Sequence, residues 1–271
     1  MIPNRFNSIK TILLDMDGVL WRGTEPILDI VELVGRIKSQ QRSFFFVTNN
    51  STQTVKHHLS IFDKYGIDLL DDQVITSAEA AAAYLGSKHP EGGFVYLVGE
   101  SGLFDAMLKQ NFSHIENSAD HKILAVVAGL DRGITYQKIE QSAGLIKQGA
   151  AFIGTNPDLT IPTSDGFSPG AGVIIKAIET ASGKVAKIVG KPKAYLYTLA
   201  LQRAKSSPGE AIMIGDRLDT DIKGAQDRGI HTALVLSGVT DRLKADTWDP
   251  RPDLIAEDAL AILDKIGNYE T

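Results

Sequence analysis

The stretch ILLDMDGVLW, residues 12–21, decides how the chain is read. A short apolar run carries straight into two acids, Asp15 and Asp17, and Gly18 follows at once. In a strand, residues two apart point to the same face. Two carboxylates on one face repel unless a cation or a proton lies between them. The stretch is therefore either an acidic strand-to-loop turn or half of a metal site.

Outward from it, apolar β-rich runs alternate with helical patterns. TILLD (11–15) predicts a strand and ILDIVELVGRIKSQ (27–40) an amphipathic helix. SFFFVT (43–48) is the next strand, and the helix after it closes at Gly66. VIT (74–76) is followed by an Ala-rich helix with Ser77 as its expected N-cap. A second series runs from GFVYLVG (93–99) through KILAVVAGL (122–130) and AAFIGTNPD (150–158) to the helix GAGVIIKAIETASG (170–183). KIVGKP (187–192), AIMIGD (211–216), HTALVLSG (231–238) and DLIAEDALAILDKIG (253–267) complete the alternation, with helices between. Repeated strand–helix–strand units with continuous apolar strands imply an α/β fold, a parallel sheet covered by helices on both faces. Such sheets bind ligands beyond the carboxyl ends of their strands. The polar residues that follow apolar strands are thus the candidates for chemistry.

Four strand ends carry them. At the first, Asp15 is placed to attack phosphorus and Asp17 to act as general acid and base, with Gly18 easing the exit. At the second, Thr48, Asn49, Asn50, Ser51 and Thr52 offer donors ahead of a helix, as an anion site or as ordinary caps. At the third, Gly190-Lys191-Pro192 offers a cation where a strand gives way to a helix, or one surface lysine among several, with Lys187 and Lys193 as rivals, and Pro192 fits the first helical position. At the fourth, Asp216, Asp219 and Asp221 follow AIMI. They suit a hard cation such as Mg²⁺, or an acidic helix start, which Asp219 fits best. No single end decides the matter; nucleophile, phosphate donors, cation and metal acids in this order do.

Composition narrows the classes. The 271 residues are 43% hydrophobic and 23% charged, with net charge −5 and no cysteine. Disulfides, thiolate nucleophiles and zinc–thiolate sites are excluded, and a cytoplasmic location fits. No basic block suggests nucleic acid. No apolar run approaches a membrane span. The N-terminal MIPNRFNSIK lacks the apolar core of a secretion signal, so sequons at Asn49, Asn50 and Asn111 read as chance. Nicotinamide, P-loop and zincin motifs are missing. His57 and His58 are adjacent on a predicted helix and point about 100° apart, a poor metal pair.

DMDGV, TNNS, GKP and GDRLDTDI together resemble the four ordered motifs of the haloacid dehalogenase superfamily. GTNPD (154–158) and PGAG (169–172) further resemble its nitrophenylphosphatase-like group, across nearly the whole chain. The resemblance implies a Rossmann-like core, residues 1–80 and 184–271, and an inserted α/β cap, residues 81–183. It implies Asp15 as nucleophile and Mg²⁺ ligand, and Asp17 as acid–base with its carbonyl on the metal. Thr48 and the Asn49 backbone would bind phosphate, Lys191 would pair with Asp15 and phosphate, Asp216 would ligate Mg²⁺, and Asp221 would hold metal-bound water. Asn156 and Asp158, in a cap turn, are expected at the substrate's leaving group or as a plain turn. ILDI at 27–30 departs from the Pro-Gly often found there, which puts the local helix start in doubt. Trp21 and Arg22 follow the nucleophile closely, on a flap or in the core. Many members of the group pair through their caps, so the resemblance offers a homodimer as one assembly and leaves the oligomeric state open.

The expected function is Mg²⁺-dependent hydrolysis of small phosphate monoesters. Sugar phosphates, phosphoglycolate, nucleotide monophosphates and p-nitrophenyl phosphate are the substrate types, with an aspartyl phosphate as intermediate. The alternatives are a phosphotransferase or phosphomutase with the same intermediate, and a receiver-like signalling protein phosphorylated on Asp.

Overall fold

The computed structural model describes residues 6–116, 121–163 and 166–267. The first five residues, part of the stretch read for a secretion signal, lie outside them. The chain forms two compact units. One comprises residues 1–48, 59–75 and 197–271, the other residues 49–58 and 76–196.

The first unit is built on a six-stranded sheet. Its order is Leu254–Ala256, His231–Val235, Ala211–Gly215, Thr11–Leu14, Ser43–Thr48, Val74–Thr76. Thr11–Leu14 runs parallel to both its neighbours, and the strands from Ala211 to Ala256 are mutually parallel. These strands are buried along almost their whole length, which is why they read as unbroken apolar runs. From Thr11–Leu14 the chain first builds outward on one side, then returns to build on the other. The strand order therefore switches between Thr11–Leu14 and Ala211–Gly215, where an open α/β sheet forms its ligand crevice.

The helix Ile30–Ser39 buries Ile30, Leu33, Val34 and Ile37, the spacing of one helical face. Asp29 caps it, accepting the Glu32 N–H at 3.0 Å, so the missing Pro-Gly does not cost the helix its start.

The second unit, also α/β, has a five-stranded parallel sheet. Its order is Lys187–Ile188, Ala151–Gly154, Ile123–Ala128, Gly93–Val98, Phe112–His114. Helices Tyr136–Lys147 and Ala171–Ser182 pack together over Val126 and Phe152, with Ile178 of the second helix in the same core. The second helix ends at Gly183, whose φ of 72° is the left-handed conformation that suits glycine at a helix end.

Several local expectations change. Thr76, not Ser77, caps the helix Ser77–Lys88. Its hydroxyl accepts the Glu79 N–H while Glu79 accepts the Thr76 N–H. Pro192 does not open a helix: the next one starts at Ala194, and the Lys191–Pro192 bond is cis. Between AIMIGD and HTALVLSG the expected helix, TDIKGAQDRG (220–229), is a π-helical turn, Leu218–Ile222, running into a short α-helix, Lys223–Gln226. The strand Phe112–His114, the helix Arg242–Thr247 and the hairpins Trp21–Arg22/Glu25–Pro26 and Thr160–Thr163/Gly166–Pro169 carry too few residues for a periodic signal. Among the described residues no helix is long and apolar enough to cross a membrane.

Candidate active site

The register of the first sheet places the acids. Leu14 lies opposite Ile214 on the neighbouring parallel strand, and the Asp15 N–H donates to the Ile214 carbonyl at 2.9 Å. Both strands then end, so Asp15 and Asp216 leave the same edge side by side. The π-helical turn brings Asp221 back to them. Asp15, Asp216 and Asp221 are all buried, and each offers an oxygen within 4.8 Å of the others'.

Glycines make room for this cluster. A Cβ on Gly18, at φ 82°, would come within 2.6 Å of Asp216 Cγ. One on Gly238 would come within 2.5 Å of Asp216 Cβ, and one on Gly215 within 2.6 Å of Asp221 Oδ2. Backbone amides orient the acids: Asp216 Oδ2 accepts the Val239 N–H at 2.7 Å, and Asp221 Oδ2 accepts the Arg217 N–H at 3.1 Å.

Three buried carboxylates at this spacing repel strongly when ionised. An all-oxygen donor set of this kind suits a hard divalent cation, with one or two carboxylates bound directly. The residues present therefore fit Mg²⁺. Asp219, by contrast, is exposed and pairs with Arg217 on the surface.

Asp17 is exposed, unlike the three. Its Oδ1 accepts the Trp21 indole N–H at 3.2 Å, and Trp21 is itself buried against Phe62. Thr48 is buried at the end of Ser43–Thr48. Tyr197 was not singled out by the sequence. It is fully buried, and its hydroxyl donates to the carbonyls of Thr220 and Asp221, at 2.9 and 3.0 Å. Burial pushes its phenol well above the ordinary range, and the negative charges of Asp221 and Asp15 add to this, so it stays a donor. Only its place in an apolar helix pattern marks Tyr197 in the sequence, and that pattern says core rather than site.

In the second unit, Asn49, Lys191, Asn156 and Asp158 form one hydrogen-bonded group. Asn49 Oδ1 accepts the Lys191 N–H at 2.8 Å. Asn49 Nδ2 donates to the Lys191 carbonyl at 3.1 Å and to Asp158 Oδ2 at 3.0 Å. Asn156 Nδ2 donates to the Asn49 carbonyl at 2.8 Å, and Ser77 Oγ donates to the same carbonyl at 2.6 Å. Asn50 is engaged locally, its Oδ1 accepting the Thr52 N–H and hydroxyl.

Fold and acids together define an α/β protein with a carboxylate cluster at the switch point of its first sheet. Residues 12–113 match the haloacid dehalogenase-like hydrolase family, and residues 188–262 match a family described as HAD-hydrolase-like. An acid sugar phosphatase of Staphylococcus haemolyticus is 32% identical over 243 residues, 90% of this chain and 91% of that protein. The structure of a 4-nitrophenylphosphatase from Thermotoga maritima superposes with a TM-score of 0.88 at 26% identity, over 97% of this chain and 99% of that one. A glycerol phosphate phosphatase from Mycobacterium tuberculosis, solved in complex with magnesium, gives 0.85 at 30% identity, over 97% of this chain and 78% of its own. The chain belongs to the haloacid dehalogenase-like hydrolase family, in its nitrophenylphosphatase-like branch of phosphatases.

Proposed function

We propose that the chain hydrolyses phosphate monoesters of small metabolites through an aspartyl phosphate on Asp15, with Mg²⁺. Sugar phosphates, glycerol phosphate, phosphoglycolate, nucleotide monophosphates and aryl phosphates are the candidate substrates. The buried group Asp15, Asp216 and Asp221 carries this reading. Asp15, Asp216 and the Asp17 carbonyl would hold the ion, with Asp221 in support. When bound, the ion neutralises the carboxylates and draws charge from the phosphoryl oxygens.

In the first step an Asp15 carboxylate oxygen attacks phosphorus. The bond from phosphorus to the leaving oxygen breaks, and Asp17 gives that oxygen its proton. In the second step Asp17 takes a proton from water as the water oxygen attacks phosphorus. The Asp15–phosphorus bond breaks, inorganic phosphate leaves, and both carboxyl groups return to their starting states. The Thr48 hydroxyl, the Asn49 N–H and the Lys191 ammonium would stabilise charge on the equatorial oxygens. The cap would keep other water away.

Asp15→Asn should abolish release of phosphate from p-nitrophenyl phosphate while the protein stays folded. Full activity in that variant would rule the mechanism out. A cytoplasmic location and a homodimer through the caps are further proposals, carried by resemblance alone, and light scattering would check whether the mass is that of a dimer.

A further inference from the structure

We infer that Asn156 and Asp158 are positioning residues, which act through Asn49 to hold Lys191. This rests on the reading of Lys191 as the cation that meets the phosphoryl group, and it gives both residues a role other than contact with the leaving group.

Asn49 grips the main chain of Lys191 with both ends of its amide, an acceptor to the N–H and a donor to the carbonyl. The amide works only one way round. Flipped, it would set an oxygen against the Lys191 carbonyl and against Asp158. A carboxylate accepts and never donates when ionised, so Asp158 fixes the orientation. Asn156 fixes the other half of Asn49. Its Nδ2 takes the Asn49 carbonyl, and its Oδ1 accepts the Asp158 N–H at 3.1 Å, which ties the two positioning residues together. Asn156 and Lys191 are 5% and 2% exposed, so water offers poor replacements for these bonds.

Gly190 completes the fit, because a Cβ there would lie 2.7 Å from Asn49 Oδ1. A lysine stem is flexible and its head is a point charge. Fixing its main chain sets the point from which that stem reaches.

Two readouts test the inference. The first is steady-state kinetics on p-nitrophenyl phosphate and on glycerol phosphate. Asp158→Ala should lower kcat/KM by about 10-fold, the low end of the cost of a hydrogen bond to a charged group, because this bond is half-buried. The loss should be the same for both substrates, since the leaving group is not what Asp158 meets. Asp158→Asn, whose amide oxygen still accepts from Asn49, should recover most of the activity. In a Lys191→Met background, Asp158→Ala should add no further loss.

The second readout is hydrogen exchange of the Lys191 amide by NMR, which needs no turnover. It should quicken about 10-fold or more in Asn49→Ala and in Asp158→Ala, and stay slow in Asp158→Asn. Losses that differ between the two leaving groups, losses that add to Lys191→Met, or an unchanged Lys191 amide would each overturn the inference. A wild-type protein inactive on both esters and on a panel of sugar phosphates, phosphoglycolate and nucleotide monophosphates, with the amide still responding, would overturn the proposed function and leave the clamp standing.

Discussion

Lowering the pH should destabilise the protein, and the largest single share should come from protonating buried His58. It lies on the helix Val55–Asp63 and is 5% exposed. Among the described residues neither of its ring nitrogens has a hydrogen-bond partner. Burial, with a smaller push from His57, lowers its pKa from 6.5 to about 4. The unfolded chain binds this proton near 6.5 and the folded chain only near 4. The stabilisation is therefore complete above 6.5 and is lost as the pH falls toward 4. The loss amounts to about 2 kcal/mol by pH 5 and about 3 kcal/mol by pH 4. In melting temperature the full effect is about 5–10 °C for a chain of this size.

The assay is thermal or urea unfolding from pH 7.5 to 4, on the wild type and on His58→Leu. The leucine variant should match or exceed wild-type stability at pH 7.5, because it removes two buried nitrogens without partners. Its pH dependence should be shallower by about 2 kcal/mol at pH 5. Parallel curves for the two proteins, or a His58 that titrates near 6.5 by NMR, would refute the reasoning.

Gly238→Ala should lower both stability and Mg²⁺ affinity, seen by calorimetry, because the new methyl group would collide with Asp216. Saturating Mg²⁺ should raise the melting temperature, with about 2.7 kcal/mol gained at a hundred times Kd, and Asp216→Asn should remove most of the rise. Trp21→Phe keeps the ring against Phe62 but loses the indole N–H to Asp17; kcat should fall several-fold with the melting temperature nearly unchanged.

The acids were legible because strand periodicity is strong and a strand's end is where its side chains become free. ILLD and AIMIGD each announce a buried strand, and the ordering of the motifs supplies the pairing. What stays hidden is the contact made across long stretches of chain by residues with ordinary local roles. Asn49 looks like a helix cap, yet its amide grips a main chain 142 residues later. Ser77 looks like a cap too, but Thr76 takes that place and Ser77 holds the Asn49 carbonyl instead. Asp221 reads as part of an α-helix, and only the wider π-helical turn returns it to Asp216. Tyr197 has the pattern of a core residue, and its hydroxyl shows its purpose only once Thr220 and Asp221 are in place.

The account is tested most directly by acid quench of the wild-type protein during turnover of a ³²P-labelled phosphate monoester with Mg²⁺. Label should be found in an acid-stable, hydroxylamine-sensitive linkage on the peptide that contains Asp15. Active turnover that never places phosphate on Asp15, or places it on another residue, would contradict it.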